Sequence, residues 1–471
     1  MIKGVNVILL CVFSVAIIAF ALLANNASEG AITRVAFHDT HEYITVAKEL
    51  AGIHNVNVHS GHPFIYPAYL SLFVKLHPSM GAIKFANVLW LIGIAALLLL
   101  ASRNLKAFLL FAFSPLVWWL SPQVTPVLPA AFFFTLAYLS LKTFERMGKL
   151  CWLTICGVSL GLATSLYLPV VLPAGLMLLL FFYGKPAKHL FLIGLFAFIG
   201  FLPSLALEYY LFHNPIYSLI RYAGAAFTVG TGITNTIGHS ASGGLLANIG
   251  WLLLALLLLI TPLLLFAYKA DWKRYWHEGL LVLLTAIFFI LWAGHWRGIK
   301  YFMIFAPVVL LLLSTKITRK QLLAGIIASV MLTGFMTYGF FGDGKPDALL
   351  VKDMQDISAD GYEKLIAYGD EAGTYFSAHL FENKPFIFWG KEWDAVANNK
   401  ATFSEYNYAL KSPKMGLLEQ FQITARLATQ SNNFSGAKFI VKKESRMSDE
   451  FKLEKCYRVV CIYKTVGDSS G

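Results

Sequence analysis

The sequence predicts a mainly α-helical, polytopic membrane protein with about eleven transmembrane helices and a small α/β domain at its C-terminal end. Three observations predict it. Of 471 residues, 57% are hydrophobic and only 14% are charged, whereas a soluble domain carries about 25% charge. Apolar runs such as Val88 to Leu100 and Leu252 to Leu265 recur along the chain, too many to hide in water-soluble cores. The charge is also divided: residues 1–341 hold 21 Lys/Arg against 8 Asp/Glu, and residues 342–471 hold 17 against 18. A cytosolic enzyme, a nuclear factor and a secreted disulfide scaffold are excluded together. So is a nucleic-acid partner, because the net charge of +12 lies in the apolar part, where cations set orientation among membrane lipids.

A spanning helix needs about 20 mostly apolar residues, which places segments near 5–24, 83–101, 107–122, 125–141, 150–167, 169–183, 190–211, 245–268, 279–294, 301–315 and 322–341. The first follows Lys3 and reads as an uncleaved anchor, since further spans follow. Alternate ends of the spans carry fourteen positive residues, from Lys3 through Lys142 and Lys185 to Lys320, and the opposite ends carry seven. The N-terminus is therefore expected in the cytoplasm and the C-terminal domain on the extracytoplasmic side, and the short connections lead us to expect a cell inner (plasma) membrane. Pro126, Pro129, Pro169, Pro173 and Pro262 are read as helix kinks.

This orientation leaves three outer segments: a first loop over 25–82, a glycine-rich loop over 212–244, and the tail. Within the first loop, Glu42–Gly52 and Ile65–Lys75 read as interfacial amphipathic helices. The stretch Gly230-Thr231-Gly232 lacks the spacing of a nucleotide loop and reads as a gate or a passive linker. The tail alternates amphipathic helical stretches (Asp360–Tyr368, Met415–Ala428) with strand-like runs (Pro385–Trp389, Ala437–Val441, Tyr457–Tyr463). In one extended strand Cys456 and Cys461 would lie roughly 16 Å apart at about 3.3 Å per residue, beyond disulfide reach, so no disulfide is expected. The domains expected are thus 1–341, transmembrane and catalytic, and 342–471, extracytoplasmic α/β.

The first loop holds Asp39, Glu42 and Glu49, three of the eight acids in residues 1–341. Ionisable groups at a membrane boundary are costly to bury and tend to be functional. Six of the twelve histidines lie between His38 and His77, and groupings of His with Asp or Glu bind divalent ions. His38 and His41 are the candidate metal ligands, with interfacial polar histidines as the alternative. The spans themselves are almost free of charge, which weighs against a transporter or lipid-linked-sugar flippase, the main rival reading.

The segment His38-Asp39-Thr40-His41-Glu42-Tyr43, followed by Ala47, His62-Pro63 and Tyr66-Pro67, resembles the first-loop signature of the GT-C glycosyltransferases. It is most similar to the branch holding the protein mannosyltransferases and the lipid A aminoarabinose transferases. Phe113-Ser114-Pro115, His213-Asn214-Pro215-Ile216-Tyr217 and Arg297 to Phe302 before Ala306-Pro307 agree in order, so the resemblance covers about residues 1–320. It implies a GT-C-like fold and transfer of a sugar from a polyprenyl-phosphate donor to a glycan, lipid or protein acceptor at the outer face. No cofactor is then required, beyond the divalent metal that His38 and His41 could hold.

Such an inverting transfer needs a base to deprotonate the acceptor and cations to meet the leaving lipid phosphate. Asp39 is the expected general base, with Glu42 beside it. Tyr43, His62, Tyr66, Arg221, Arg297, Lys300 and Tyr301 are the expected substrate-binding residues. Arg297, Lys300 and Tyr301 read equally well as headgroup anchors of span ends. The chain departs from the aminoarabinose transferases in having His62 for a Lys, Glu42 for an Arg, and Val124-Thr125-Pro126 where many relatives carry an acid.

Overall fold

The computed structural model describes residues 2–24, 38–53, 62–183, 185–212, 214–219, 276–277, 279–281, 283–285, 296–315, 317–337, 346–367, 386–388, 438–443 and 451–465. Helix α1 (Ile2–Leu23) is largely apolar and packs against α4 (Met80–Ala96), with Phe13, Ile17 and Ala21 buried and the Phe13 ring set edge-on to Phe108, Phe111 and Trp118. Its last turn is closed by the Lys84 ammonium, which donates to the Ala24 carbonyl at 2.6 Å. That places a cation at the negative end of the helix dipole. Between these two helices lies a pair of short ones, α2 (His38–Leu50) and α3 (Ile65–Leu76), packed on each other. Helices are found where both were expected, but α2 begins four residues earlier and so takes Asp39 into its first turn.

After α4 the chain makes a π-helical turn, Leu97–Ala101, and enters α5 (Leu105–Ala112), capped by Asn104. The span expected over 107–122 is broken. Pro115 has no N–H to donate and its ring clashes with the preceding turn, so the chain restarts as α6 (Pro115–Leu120). Helix α7 (Val127–Met147) stops at Gly148, whose φ of 67° suits a residue without Cβ. There follow α8 (Cys151–Leu166), α9 (Val171–Phe182) and α10 (Ala187–Phe212). Past a 3₁₀ stretch, Trp296–Ile304, come α11 (Ala306–Ser314) and α12 (Arg319–Thr337). The span expected at 301–315 is thus helical of the α type only from Ala306.

Among the described residues, five helices are long and apolar enough to cross a membrane: Gly4–Leu23, Met80–Ala101, Val127–Met147, Ala187–Leu211 and Arg319–Thr337. Helices α3, α8 and α9 are apolar but shorter. The span expected over 245–268, most of that over 279–294, and the Gly230 loop lie outside the described residues. Helices α8 and α10 approach backbone to backbone: Gly157 faces Ile193 and Ala197, Gly161 faces Ala197 and Gly200, and Gly200 in turn faces Val158. Small residues permit such an approach in lipid, where dispersion and not the hydrophobic effect holds helices together.

The tail departs from the expectation in two places. Of the helical stretch expected over 360–368, the described residues 360–367 are not helical. The helix is α13 (Pro346–Ala359), and after a turn at Asp360-Gly361 the chain enters β1 (Lys364–Ala367). Strands β2 (Phe386–Phe388) and β3 (Lys438–Lys442) lie where expected, while 415–428 is outside the described residues. Of the run expected as a strand over 457–463, residues 460–463 do lie in β5 (Val460–Thr465), but Tyr457-Arg458-Val459 form the turn of a hairpin whose other strand is β4 (Phe451–Cys456). That turn sets Cys456 directly opposite Cys461, Cα atoms 4.0 Å apart, and the two form a disulfide. The extended-strand argument fails because the hairpin reverses the chain between them.

The five strands are ordered β2-β1-β3-β5-β4, with β1 parallel to both its neighbours and β5 antiparallel to β3 and β4. Met354 and Ile357 of α13 bury against Leu365, Ile440, Val460 and Ile462. Buried Asp353 clamps the hairpin turn, accepting the Val459 and Val460 N–H groups at 2.7 and 3.3 Å and an Arg458 guanidinium N–H at 3.0 Å. A buried carboxylate is tolerable only when so fully partnered.

Candidate functional site

Two aromatic clusters flank the start of α7. The first sits on α2 and α3. Tyr43, one turn after Asp39 on α2, packs its ring 5.1 Å from that of His62 and meets Tyr66 edge-on at 5.3 Å. Tyr66 is fully buried, and its hydroxyl donates to Asn87 Oδ1 at 2.8 Å. Asn87 in turn donates to the Gln123 carbonyl in the turn before α7. The Gln123 side chain donates to the Trp119 carbonyl at 3.0 Å, and its Oε1 is a buried acceptor without a partner among the described residues. Thr125, where the resemblance would place an acid, is buried and its hydroxyl accepts the Val127 N–H at 3.3 Å, so it opens α7. Burial pushes the Tyr66 phenol far above its ordinary range, with the nearby Tyr69 adding to it. Tyr66 is thus a fixed donor and not a proton carrier.

The second cluster joins the 3₁₀ stretch to α8. Tyr301 stacks on Tyr167 with ring centres 5.5 Å apart and planes 18° from parallel. The buried Lys300 places its ammonium 5.2 Å from the Tyr301 ring centre, within cation–π range. The 3₁₀ stretch packs on α6 and α7, and α3 packs on α4 and α8. Both clusters therefore lie at the same end of the helix bundle.

A third constellation ties this end together. Glu208, on the last turns of α10 and only 4% exposed, accepts the Ser218 N–H at 2.9 Å and the Ser204 hydroxyl at 3.4 Å. The Ser218 hydroxyl donates to the His62 carbonyl at 3.2 Å. Beside it Val46 of α2, Phe64 and Tyr217 form a small core with Leu50, Leu207 and Leu211.

Of the residues expected at the site, Tyr43, His62 and Tyr66 come together, and Lys300 and Tyr301 form the second group. Asp39, Glu42, His38 and His41 stand on the first turns of α2, and Arg297 on the 3₁₀ stretch, with side chains outside the described residues; Arg221 lies outside them altogether. Among the described residues no three His, Cys, Asp or Glu side chains converge as a metal site would require. Sequence reasoning gave no role to Asn87, Gln123, Tyr167, Glu208, Ser218 or Lys48. Lys48 is fully buried on α2, and burial holds its ammonium well below its ordinary pKa. An amide or acid inside an apolar helix was the available signal for Asn87 and Glu208. Nothing in the sequence points Tyr167 at Tyr301.

The five long apolar helices, the α2–α3 pair ahead of α4 and the sheet after α12 define a polytopic membrane protein. No family model and no curated protein matches the chain. Among solved structures, the chain matches ArnT from Cupriavidus metallidurans bound to undecaprenyl phosphate, with a TM-score of 0.62 and 12% identity over 99% of both chains. The apo state of the same ArnT gives a TM-score of 0.49 and 11% identity over 98% of both chains. At this identity the likeness is one of fold.

Proposed function

We propose that the protein is a membrane glycosyltransferase that moves a sugar from a polyprenyl-phosphate-linked donor to a glycan, lipid or protein acceptor. The observation that carries this reading is the match along the whole chain to an ArnT fold with undecaprenyl phosphate bound, together with an aromatic cluster on the two first-loop helices. In this reading Asp39 removes the proton from the acceptor nucleophile as that atom bonds to the anomeric carbon. The bond from the sugar to the lipid phosphate breaks on the opposite side. Lys300, with Arg297 and Tyr301, meets the charge that develops on the departing phosphate. Glu42, one turn from Asp39, raises the basicity of Asp39 by like-charge repulsion.

The site faces outward, on the side away from the lysine- and arginine-rich connections. The Cys456–Cys461 disulfide supports that side for the tail, because such bonds persist in oxidising compartments. Residues 1–341 then form the transmembrane catalytic part and 342–471 an extracytoplasmic domain. The chemistry written here uses no cofactor, and a divalent ion on His38 and His41 is the one addition the sequence offers.

The test is turnover of a panel of polyprenyl-phosphate monosaccharides by the purified protein, wild type beside Asp39→Asn, with and without chelator. Consumption of a donor by the wild type alone supports the reading. A wild type that neither binds nor consumes any donor overturns it, and full activity in Asp39→Asn removes Asp39 from the mechanism.

A further inference from the structure

Glu208 is a carboxylate inside an otherwise apolar helix, and a charge in such a helix is costly unless its hydrogen bonds have a use. Its two oxygens are committed. One takes the Ser218 N–H at 2.9 Å, the other lies 3.4 Å from the Ser204 hydroxyl within the same helix. The partner that matters is Ser218, on the short segment after α10. While its N–H is held by Glu208, its hydroxyl reaches back 3.2 Å to the carbonyl of His62, and the His62 ring lies against Tyr43 on α2. The same segment contributes Tyr217 to the small core with Val46 and Phe64, one member from α2 and one from the lead-in to α3. Hydrogen bonds and apolar contacts therefore converge from α10 on the two helices of the first loop.

We infer that Glu208 is a positioning residue. Acting through Ser218, it fixes the entry to α3 at His62, and with it the His62–Tyr43–Tyr66 cluster one turn beyond Asp39. The inference rests on the transferase reading given above, and it adds a residue that touches neither donor nor acceptor. The physical reason is that the His62 segment, leading into Pro63, has no helix of its own to hold it. Without the Ser218 hydrogen bond its backbone can shift by a fraction of an ångström to an ångström, and misplacement on that scale is enough to lower turnover by about 100-fold. A carboxylate does this better than a neutral side chain, because a hydrogen bond from N–H to a charged acceptor is roughly twice as strong as one between neutral groups.

The experiment measures kcat and donor KM per folded molecule, with the donor that the wild type consumes, for Glu208→Ala, Glu208→Gln, Ser218→Ala and the Glu208→Ala/Ser218→Ala pair, alongside the melting temperature of each. Glu208→Ala is expected to lower kcat/KM by about 10- to 100-fold, the range that follows from leaving a buried N–H unpaired. Glu208→Gln keeps an acceptor for Ser218 and should recover most of that loss. Ser218→Ala should show a loss of its own, and the double variant should lose less than the product of the two single losses, as groups acting in one chain do. If Glu208 only stabilises the helix bundle, the melting temperature falls while kcat and KM per folded molecule stay at wild type, and the inference is wrong. Should Glu208→Ala fail to fold, Ser218→Ala decides: wild-type kinetics overturn the inference, and a selective loss in kcat/KM supports it. A wild type inactive with every donor refutes the transferase reading instead, so the two failures are told apart.

Discussion

The α8–α10 contact makes the most exacting prediction. At Gly161 an added methyl group would fall on the Ala197 carbonyl oxygen and lie 2.9 Å from the carbonyl carbon of Gly200. Non-bonded carbons rest at about 3.5–4.0 Å, so the helices must part by roughly 1 Å. The obstacle is backbone, and no side-chain rotation relieves it. Overpacking of this kind costs about 1–3 kcal/mol, and here it also opens an interface held by dispersion alone. Gly161→Ala should therefore lower the melting temperature of the detergent-solubilised protein. Because α8 leads directly into Tyr167 and α10 carries Glu208, donor turnover should fall with it. Gly194→Ala, on α10 with nothing within 4 Å of the new carbon, is the control: it should be neutral, or stabilising by up to about 1 kcal/mol. Equal melting temperatures for Gly161→Ala, Gly194→Ala and wild type would refute the packing argument.

Three further outcomes are expected. Tyr66→Phe removes the proton that Asn87 Oδ1 accepts in a buried site and should destabilise the protein by about 1–2 kcal/mol, read as a lower melting temperature; an unchanged value would mean that a water fills the place. In the tail, the hydrogen bond from Lys455 and then that from Tyr457 hold the Asp360 carboxyl below the usual carboxylate range. Its folded value lies below the unfolded one, so its contribution is complete above about pH 4 and is lost only as the pH falls further. Hydrogen exchange at residues 455–457, corrected for intrinsic rate, should accordingly be flat from pH 7 to 5, and Asp360→Asn should raise it throughout; a rise in the wild type already at pH 5–6 would contradict the sign. Finally, in a variant with Cys11, Cys151 and Cys156 changed to Ser, a maleimide should label Cys456 and Cys461 only after reduction, and labelling without a reductant would show the pair open.

What the sequence made legible follows physical range. Long apolar runs need no partner to be recognised, and α1, α4, α7, α10 and α12 lie where hydropathy puts them. The interfacial helices α2 and α3 were visible because their polar and apolar residues alternate with helical spacing. Breaks were harder: Phe113-Ser114-Pro115 was noticed as a motif, yet the uninterrupted hydropathy on both sides hid the restart at Pro115. The hairpin was missed because Tyr457 to Tyr463 is β-prone throughout and has no Gly or Asn at its turn. What turns it is Asp353, a hundred residues earlier in the chain, binding the turn's N–H groups. At the site, Tyr43, His62 and Tyr66 could be read together because they are near in sequence. Tyr167 with Tyr301, and Glu208 with His62, are pairings that only the packing of distant helices creates. Likewise the Gly157-x-x-x-Gly161 spacing is plain in the chain, but its meaning depends on Ile193, Ala197 and Gly200 in another helix.

The strand order of the tail bears on how the protein is made. β1 lies between β2 and β3, and Ile366 pairs with Phe439, so the centre of the sheet joins segments far apart in the chain. β5, which covers the other side of β3, is made last. During synthesis β1 and α13 emerge with their apolar faces uncovered, and they stay so until the β4–β5 hairpin has been made. Pairings this distant form slowly. Any delay in completing that hairpin would leave Met354, Ile357 and Leu365 open to chaperones and proteases, while the membrane helices are already in place.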